Sequence, residues 1–260
     1  MGRVSLALGL LLFALDTARA QPATPSDIGI DQHLNEAVPL EESFRDERGD
    51  VVALGRYFGT RPVVLMLGYY RCPRLCNLAL NNLAAALGKL DYQAGRDFHV
   101  VIVSIDPREG PELAAAKKAA VIEHDAPPGA AAGWHFLTGD EPAIRRLAKA
   151  VGFRYALDTQ RDLYAHASGI MVLTPDGKIA RYFFGLEYSP RDLRFGLEDA
   201  SAGQIGSPVT QPLRMLCFAY DPAAGKYTLM TVRLVQIGGT ITVLLLGVFL
   251  IRAWRRKSPA

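Results

Sequence analysis

The stretch Pro62-Val-Val-Leu-Met-Leu-Gly-Tyr-Tyr-Arg-Cys-Pro-Arg-Leu-Cys76 decides the architecture. Residues 62–69 are a continuous apolar run rich in strand formers, the pattern of a strand buried on both faces. Past the loop 70–76, Leu78, Leu80, Leu83, Leu87 and Leu90 recur at near-helical spacing among alanines and asparagines. That spacing predicts a helix of roughly three turns at ~1.5 Å per residue.

Working outward, residues 98–105 (Phe-His-Val-Val-Ile-Val-Ser-Ile) read as a second buried strand, and Pro111 opens a second helix where proline is tolerated. Residues 134–137 read as a short strand, and 141–151 place Ile144, Leu147, Ala148 and Val151 on one helical face. Residues 169–173 and 178–184, joined by Thr174-Pro-Asp-Gly177, form a hairpin with clear turn chemistry. Strand and helix alternating in this order imply a crossover unit and an α/β, thioredoxin-like sandwich.

Half of the 260 residues are hydrophobic, enough for one sizeable core, which excludes wholesale disorder. The 24 glycines and 16 prolines follow no period, so the chain is neither collagen-like nor a coiled coil. The net charge of +3 sits at the ends: residues 1–20 carry +1 and 252–260 carry +4, leaving 21–251 at −2. A slightly acidic body offers no footprint for a nucleic-acid backbone.

Two apolar runs bracket that body. Residues 4–15 follow Arg3, are too short to span a bilayer, and lead to Ala18-Arg19-Ala20, so 1–20 read as a cleavable signal peptide. Residues 21–35, with Pro and Ser, read as a solvated linker. Residues 234–251 carry no charge over 18 residues, long enough for a transmembrane helix, and Arg252, Arg255, Arg256 and Lys257 follow at once. The positive-inside bias keeps the basic tail 252–260 in the cytoplasm and the rest outside, the periplasmic side in a bacterium. That compartment is oxidising and permits disulfides. The folded domain is expected over 36–200, with 201–233 as a membrane-proximal extension holding a turn at Asp221-Pro-Ala-Ala-Gly225.

The chemistry lies in the loop 68–76. Cys72 and Cys76 are four apart, so a helix starting here puts both sulfurs on one face, and its N-terminal charge favours thiolates. Two thiolates are soft ligands suited to Cu(I), and an imidazole completes a three-coordinate site. The C-x-x-x-C spacing differs from the C-x-x-C of dithiol oxidoreductases and zinc knuckles. Of five histidines, His33 lies in the lead-in, His99 in a buried strand, His124 in Glu-His-Asp and His135 beside Trp134. His166 precedes the strand 169–173, where a thioredoxin-like fold returns the chain to the cysteine loop. Spacing alone leaves it either a ligand or an exposed loop histidine. Asp106 reads as a turn or cap former, and Cys217, unpaired by count, as either a buried apolar residue, the favoured reading, or a free thiol. A peroxide-reducing loop is disfavoured because Leu65 and Tyr69 stand where it needs Pro and Thr.

Across about 36–200 the chain resembles the Sco/SenC copper chaperones of cytochrome oxidase assembly. The resemblance rests on Gly-Tyr-Tyr-Arg-Cys-Pro-Arg-Leu-Cys, Val-Ser-Ile-Asp-Pro-Arg, Phe-Leu-Thr-Gly-Asp-Glu, and Tyr-Ala-His-Ala-Ser with Leu-Thr-Pro-Asp-Gly-Lys. It implies a thioredoxin fold and one copper, as Cu(I) or Cu(II), bound by Cys72, Cys76 and His166. It also implies an upstream copper donor, and delivery to the CuA centre of cytochrome c oxidase subunit II. Some members of the family instead reduce the target cysteines, so Cys72 and Cys76 would then act as a thiol–disulfide redox pair. The chain departs from the family's common Cys-Pro-Asp-Val-Cys-Pro in carrying Arg74, Leu75 and Asn77, and its expected anchor is C-terminal where many relatives have an N-terminal one.

Overall fold

The structure is a computed structural model that describes residues 28–72, 75–124, 126, 129–206, 218–221, 226–229, 239–242, 244–247 and 252. The expected signal peptide, Arg74 and Cys217 lie outside the described residues. The central sheet has five strands. β4 (Val63–Gly68) and β5 (His99–Ser104) pair in parallel, and β6 (Trp134–Leu137) extends them in parallel beyond β5. β9 (Gly169–Leu173) pairs antiparallel with β4, and β10 (Ile179–Phe184) with β9, so the order is β10-β9-β4-β5-β6.

β4 and β9 are unbroken apolar runs, as befits strands covered on both faces. Val64, Met66, Val100, Ile102, Phe136, Ile170 and Val172 face one core, which is closed by α1 (Leu75–Leu87), α2 (Pro111–His124) and α4 (Pro190–Ser201). Leu83 of α1 is wholly buried there, a contribution of roughly 1.5–3 kcal/mol for such a side chain. Leu65, Leu67, Val101, Val103, Met171 and Leu173 face the other core, under α3 (Glu141–Ala150) and the hairpin of β2 (Ser43–Arg45) and β3 (Val51–Ala53). The layers are those of the thioredoxin-like sandwich expected from the element order.

Helix starts follow local chemistry. Asp140 caps α3 by accepting the Ala143 N–H, and Ser189 caps α4 by accepting the Asp192 N–H, with Pro190 as the first helical residue. The sequence reading did not assign α4, nor the hairpin of β7 (Phe153–Asp158) and β8 (Leu163–His166).

Part of the expected linker belongs to the fold. β1 (Gly29–Ile30) pairs antiparallel with β7, and the Asp31 N–H donates to the Gly152 carbonyl at 2.9 Å. Gly152 is required there: its φ is +65°, and a Cβ on it would lie 2.0 Å from the Asp31 oxygen. Residues 28–35 are therefore docked, held by backbone pairing that Pro and Ser content does not reveal. Further on, β11 (Phe218–Asp221) and β12 (Lys226–Leu229) pair with Asp221 opposite Lys226, bracketing the turn expected at 221–225. Of the apolar run 234–251, residues 239–242 and 244–247 are helical and the remainder lies outside the described residues. Among the described residues no helix is long and apolar enough to cross a membrane.

Candidate metal centre

The cysteine loop leaves the C-terminal end of β4 and enters the first turn of α1, so Cys76 sits at a helix start. Its departure is fixed by Glu109, a buried side chain from the loop after β5. One Glu109 oxygen accepts the Arg71 N–H at 2.7 Å, and the other accepts the Tyr70 N–H at 2.8 Å and the Ser104 hydroxyl at 2.6 Å. Tyr70 pins the same turn from inside, donating its hydroxyl to the Leu137 carbonyl at 2.8 Å. Asn77, held by Lys117, donates its amide to the Cys72 carbonyl at 3.3 Å.

His166 is the last residue of β8, paired across the hairpin with Tyr155, and its Nε2 lies 3.0 Å from Cys76 Sγ. Its Nδ1 lies 2.8 Å from the Ala167 carbonyl. A carbonyl can only accept, so Nδ1 carries the proton and Nε2 turns its lone pair to the sulfur. Burial holds the His166 pKa below its ordinary value, against the pull of the Ala167 carbonyl, so the ring is neutral. Phe153 and Tyr69 flank it at ring-centroid distances of 5.6 and 5.9 Å.

Cys72 and Cys76 are both buried and present as thiols. Burial pushes the Cys76 pKa well up, and the neighbouring Cys72 adds to the rise. Burial thus opposes the thiolate that the sequence led one to expect at a helix start. Tyr69 is likewise raised by burial and by its hydrogen bond to Cys72. These groups line a cleft of about 510 Å³ that opens beside Tyr164 and Ser168. Among the described residues no three His, Cys, Asp or Glu side chains are gathered as a closed ligand set, so Cys76 and His166 are in contact while Cys72 stands next to Cys76.

The other histidines lie elsewhere. His33 is docked against Ala150 and Tyr182, His124 ends α2 beside Glu123, and His99 and His135 meet each other across β5 and β6. Asp106 is buried; burial alone would raise its pKa, but hydrogen bonds from the Arg108 guanidinium and N–H hold it below the usual range. This fits the structural role read from the sequence. Glu109 was not singled out, and only its position five residues after Ser104 at a strand end hints at it.

The SCO1/SenC family pattern matches residues 40–198. The chain belongs to the SCO1/SenC family. It is also 26% identical over 120 residues to a Stutzerimonas stutzeri protein named for copper binding, a match covering 45% of this chain and 54% of that one. The chain thus spans about half the length of that curated relative. Among solved structures, an Aquifex aeolicus electron transfer protein superposes with a TM-score of 0.58 at 23% identity, covering 68% of this chain and 99% of the other. BsSco, described as a member of the Sco family of cytochrome c oxidase assembly proteins, gives 0.53 at 20% identity, covering 66% and 97%. At these identities the superpositions speak for the SCO1/SenC fold alone.

Proposed function

We propose that this SCO1/SenC protein is a membrane-tethered, extracytoplasmic copper chaperone. It takes one copper ion on Cys72, Cys76 and His166 and passes it to the CuA centre of cytochrome c oxidase subunit II. The observation that carries the reading is the 3.0 Å approach of Cys76 Sγ to His166 Nε2, with the imidazole tautomer fixed by Ala167. A neutral nitrogen and a sulfur aimed at one point, with a second sulfur adjacent, make a donor set for a soft cation. The name of the Stutzerimonas stutzeri relative supports copper as that cation.

In this mechanism copper is cargo. Loading releases the thiol protons of Cys72 and Cys76 to solvent, because only thiolates bind the metal. The raised Cys76 pKa keeps that thiol protonated until the metal arrives. Phe153 and Tyr69 pack on the imidazole, and the cleft lined by Tyr164 and Ser168 gives an acceptor's ligands access to it. Transfer would then proceed by stepwise ligand exchange, in which the acceptor's ligands replace Cys72, Cys76 and His166 in turn and the freed thiolates take protons back from solvent, with no change of oxidation state required. The uncharged run 234–251 and the basic tail behind it supply the tether.

One observation favours a second reading. The adjacency of Cys72 and Cys76 also suits thiol–disulfide exchange, in which Cys72 attacks a substrate disulfide and Cys76 displaces the substrate thiol. Two electrons then pass to the substrate and leave a Cys72–Cys76 disulfide.

Metal analysis of the purified full chain tests the first reading. One copper per chain is expected, with sharply weaker retention in Cys72→Ser, Cys76→Ser and His166→Ala. Copper bound equally well by all three variants would overturn it.

A further inference from the structure

At the opposite end of β5 from the cysteine loop, two imidazoles face each other. His99 opens β5 and His135 lies on β6; the parallel register sets Val101 opposite His135, so both rings project from the same face of the sheet. His99 Nδ1 and His135 Nε2 are 3.1 Å apart. Along β5, His99 lies about 16 Å from Ser104 and the level of His135 about 10 Å, at ~3.3 Å per strand residue, so the pair shares no donor with the cysteine loop.

We propose that His99 and His135 form a second metal site, a bis-imidazole chelate for a borderline divalent cation, Cu(II) ahead of Zn(II). The geometry carries the assignment. With metal–nitrogen bonds of about 2.0–2.1 Å, a nitrogen separation of 3.1 Å subtends an angle of about 98° at the metal. That lies between the square-planar and tetrahedral values, and binding needs each ring to tilt by about 40° so that its lone pair turns from the facing nitrogen to the metal. Both rings are only half-buried, and water can supply the remaining ligands.

The charge state suits the same role. Burial, then the neighbouring His99, lowers the His135 pKa to about 4, and burial with the Arg61 charge lowers that of His99. Both imidazoles are therefore neutral at pH 7, and no proton has to be displaced into solvent. In the empty pair one facing nitrogen carries a proton; moving it to the outer nitrogen of the same ring frees both lone pairs. The charges nearest the pair are Arg61 at His99, and Glu47, Lys118 and Arg56 at His135. Glu47 accepts from Lys118 at 2.6 Å, which offsets that cation, and the Tyr57 ring packs on His135 with centroids 4.3 Å apart, fixing its plane. Cu(II) leads Zn(II) because imidazole donors follow the usual divalent order.

The test uses the full chain in detergent with Cys72→Ser, Cys76→Ser and His166→Ala, which removes every donor of the cysteine site. Titration with Cu(II) alone is expected to give one equivalent bound, with electron paramagnetic resonance showing coupling to two nitrogens. His135→Phe, which keeps a ring against Tyr57, and His99→Gln should each weaken binding at least tenfold, whereas His124→Ala at the exposed end of α2 should leave it unchanged. His99→Gln decides the matter if His135→Phe does not fold. No Cu(II) bound, or binding indifferent to both substitutions, would overturn the site.

Discussion

Glu109 shows how much of this site depends on a side chain that touches no ligand donor. Its two oxygens accept the Tyr70 and Arg71 N–H groups and the Ser104 hydroxyl, so they set where the chain turns before Cys72. Glu109→Gln turns an amide donor toward one of these donors. Hydrogen bonds to charged groups are worth about 1.5–3 kcal/mol each, so a loss of about 2–3 kcal/mol is expected. A thermal melt should fall by roughly 5–10 °C for a domain of this size, and copper retention should weaken beyond what unfolding explains. A melt within a degree of the parent would show that the loop is held by other contacts. His135 supplies a pH dependence. Its unfolded ring titrates near 6.5 and its folded ring near 4, so below about pH 6.5 the unfolded chain takes up a proton that the folded chain refuses. Stability is level above that pH and declines as pH falls from 6.5 to 4, by on the order of 2–3 kcal/mol from this residue. Denaturant titrations at pH 7 and pH 4.5 should show a smaller decline in His135→Phe than in the parent; equal declines would contradict the assignment.

The β7–β8 hairpin is the element that carries His166 to the cysteines, and Arg108 ties it to the sheet. The Arg108 guanidinium bridges Asp106 after β5 at 2.8 Å to Asp162 in the hairpin turn at 2.6 Å, and it lies over the Tyr164 ring. Asp162→Asn, which weakens only the exposed arm of the bridge and leaves the buried Asp106 paired with Arg108, should leave the global melt nearly unchanged. It should speed hydrogen exchange of the 163–166 amides several-fold while β4 and β5 stay protected; unchanged exchange would show that the bridge does not restrain the hairpin. The same hairpin shows where sequence reading runs out. β4, β5 and β9 were legible because both faces are buried and each strand is an unbroken apolar run. β7 and β8 mix Arg154, Asp158 and Tyr164 with partly buried residues and give no clean period. α4 carries a readable start at Ser189-Pro190 and Asp192, but its hydrophobic content is low. The cysteine pair was legible from spacing, whereas position alone left His166 open between a ligand and an exposed loop histidine, and only the Sco/SenC resemblance named it as a ligand. The meeting of His99 with His135 depends on the parallel register of β5 and β6, which neither segment encodes alone.

At the scale of the whole molecule, the proposed chaperone would hold its α/β domain outside a membrane with the cleft toward an acceptor. The tether rests on the 18 uncharged residues 234–251 and the four cations behind them. A reporter active only in the cytoplasm, fused after Ala260, should give signal, and one fused near Asp221 should be silent; the reverse pattern would invert the anchor. The central claim is that metal, and not electrons, passes through this site, and the two mechanisms use His166 unequally. Ligation loses one of three bonds without the imidazole, whereas thiol exchange needs only the two sulfurs. The most direct measurement is therefore the CuA content of cytochrome oxidase in cells carrying His166→Ala, beside Cys72→Ser and Cys76→Ser. All three variants are expected to lose CuA; normal CuA assembly with His166→Ala, while both cysteine variants fail, would contradict copper transfer.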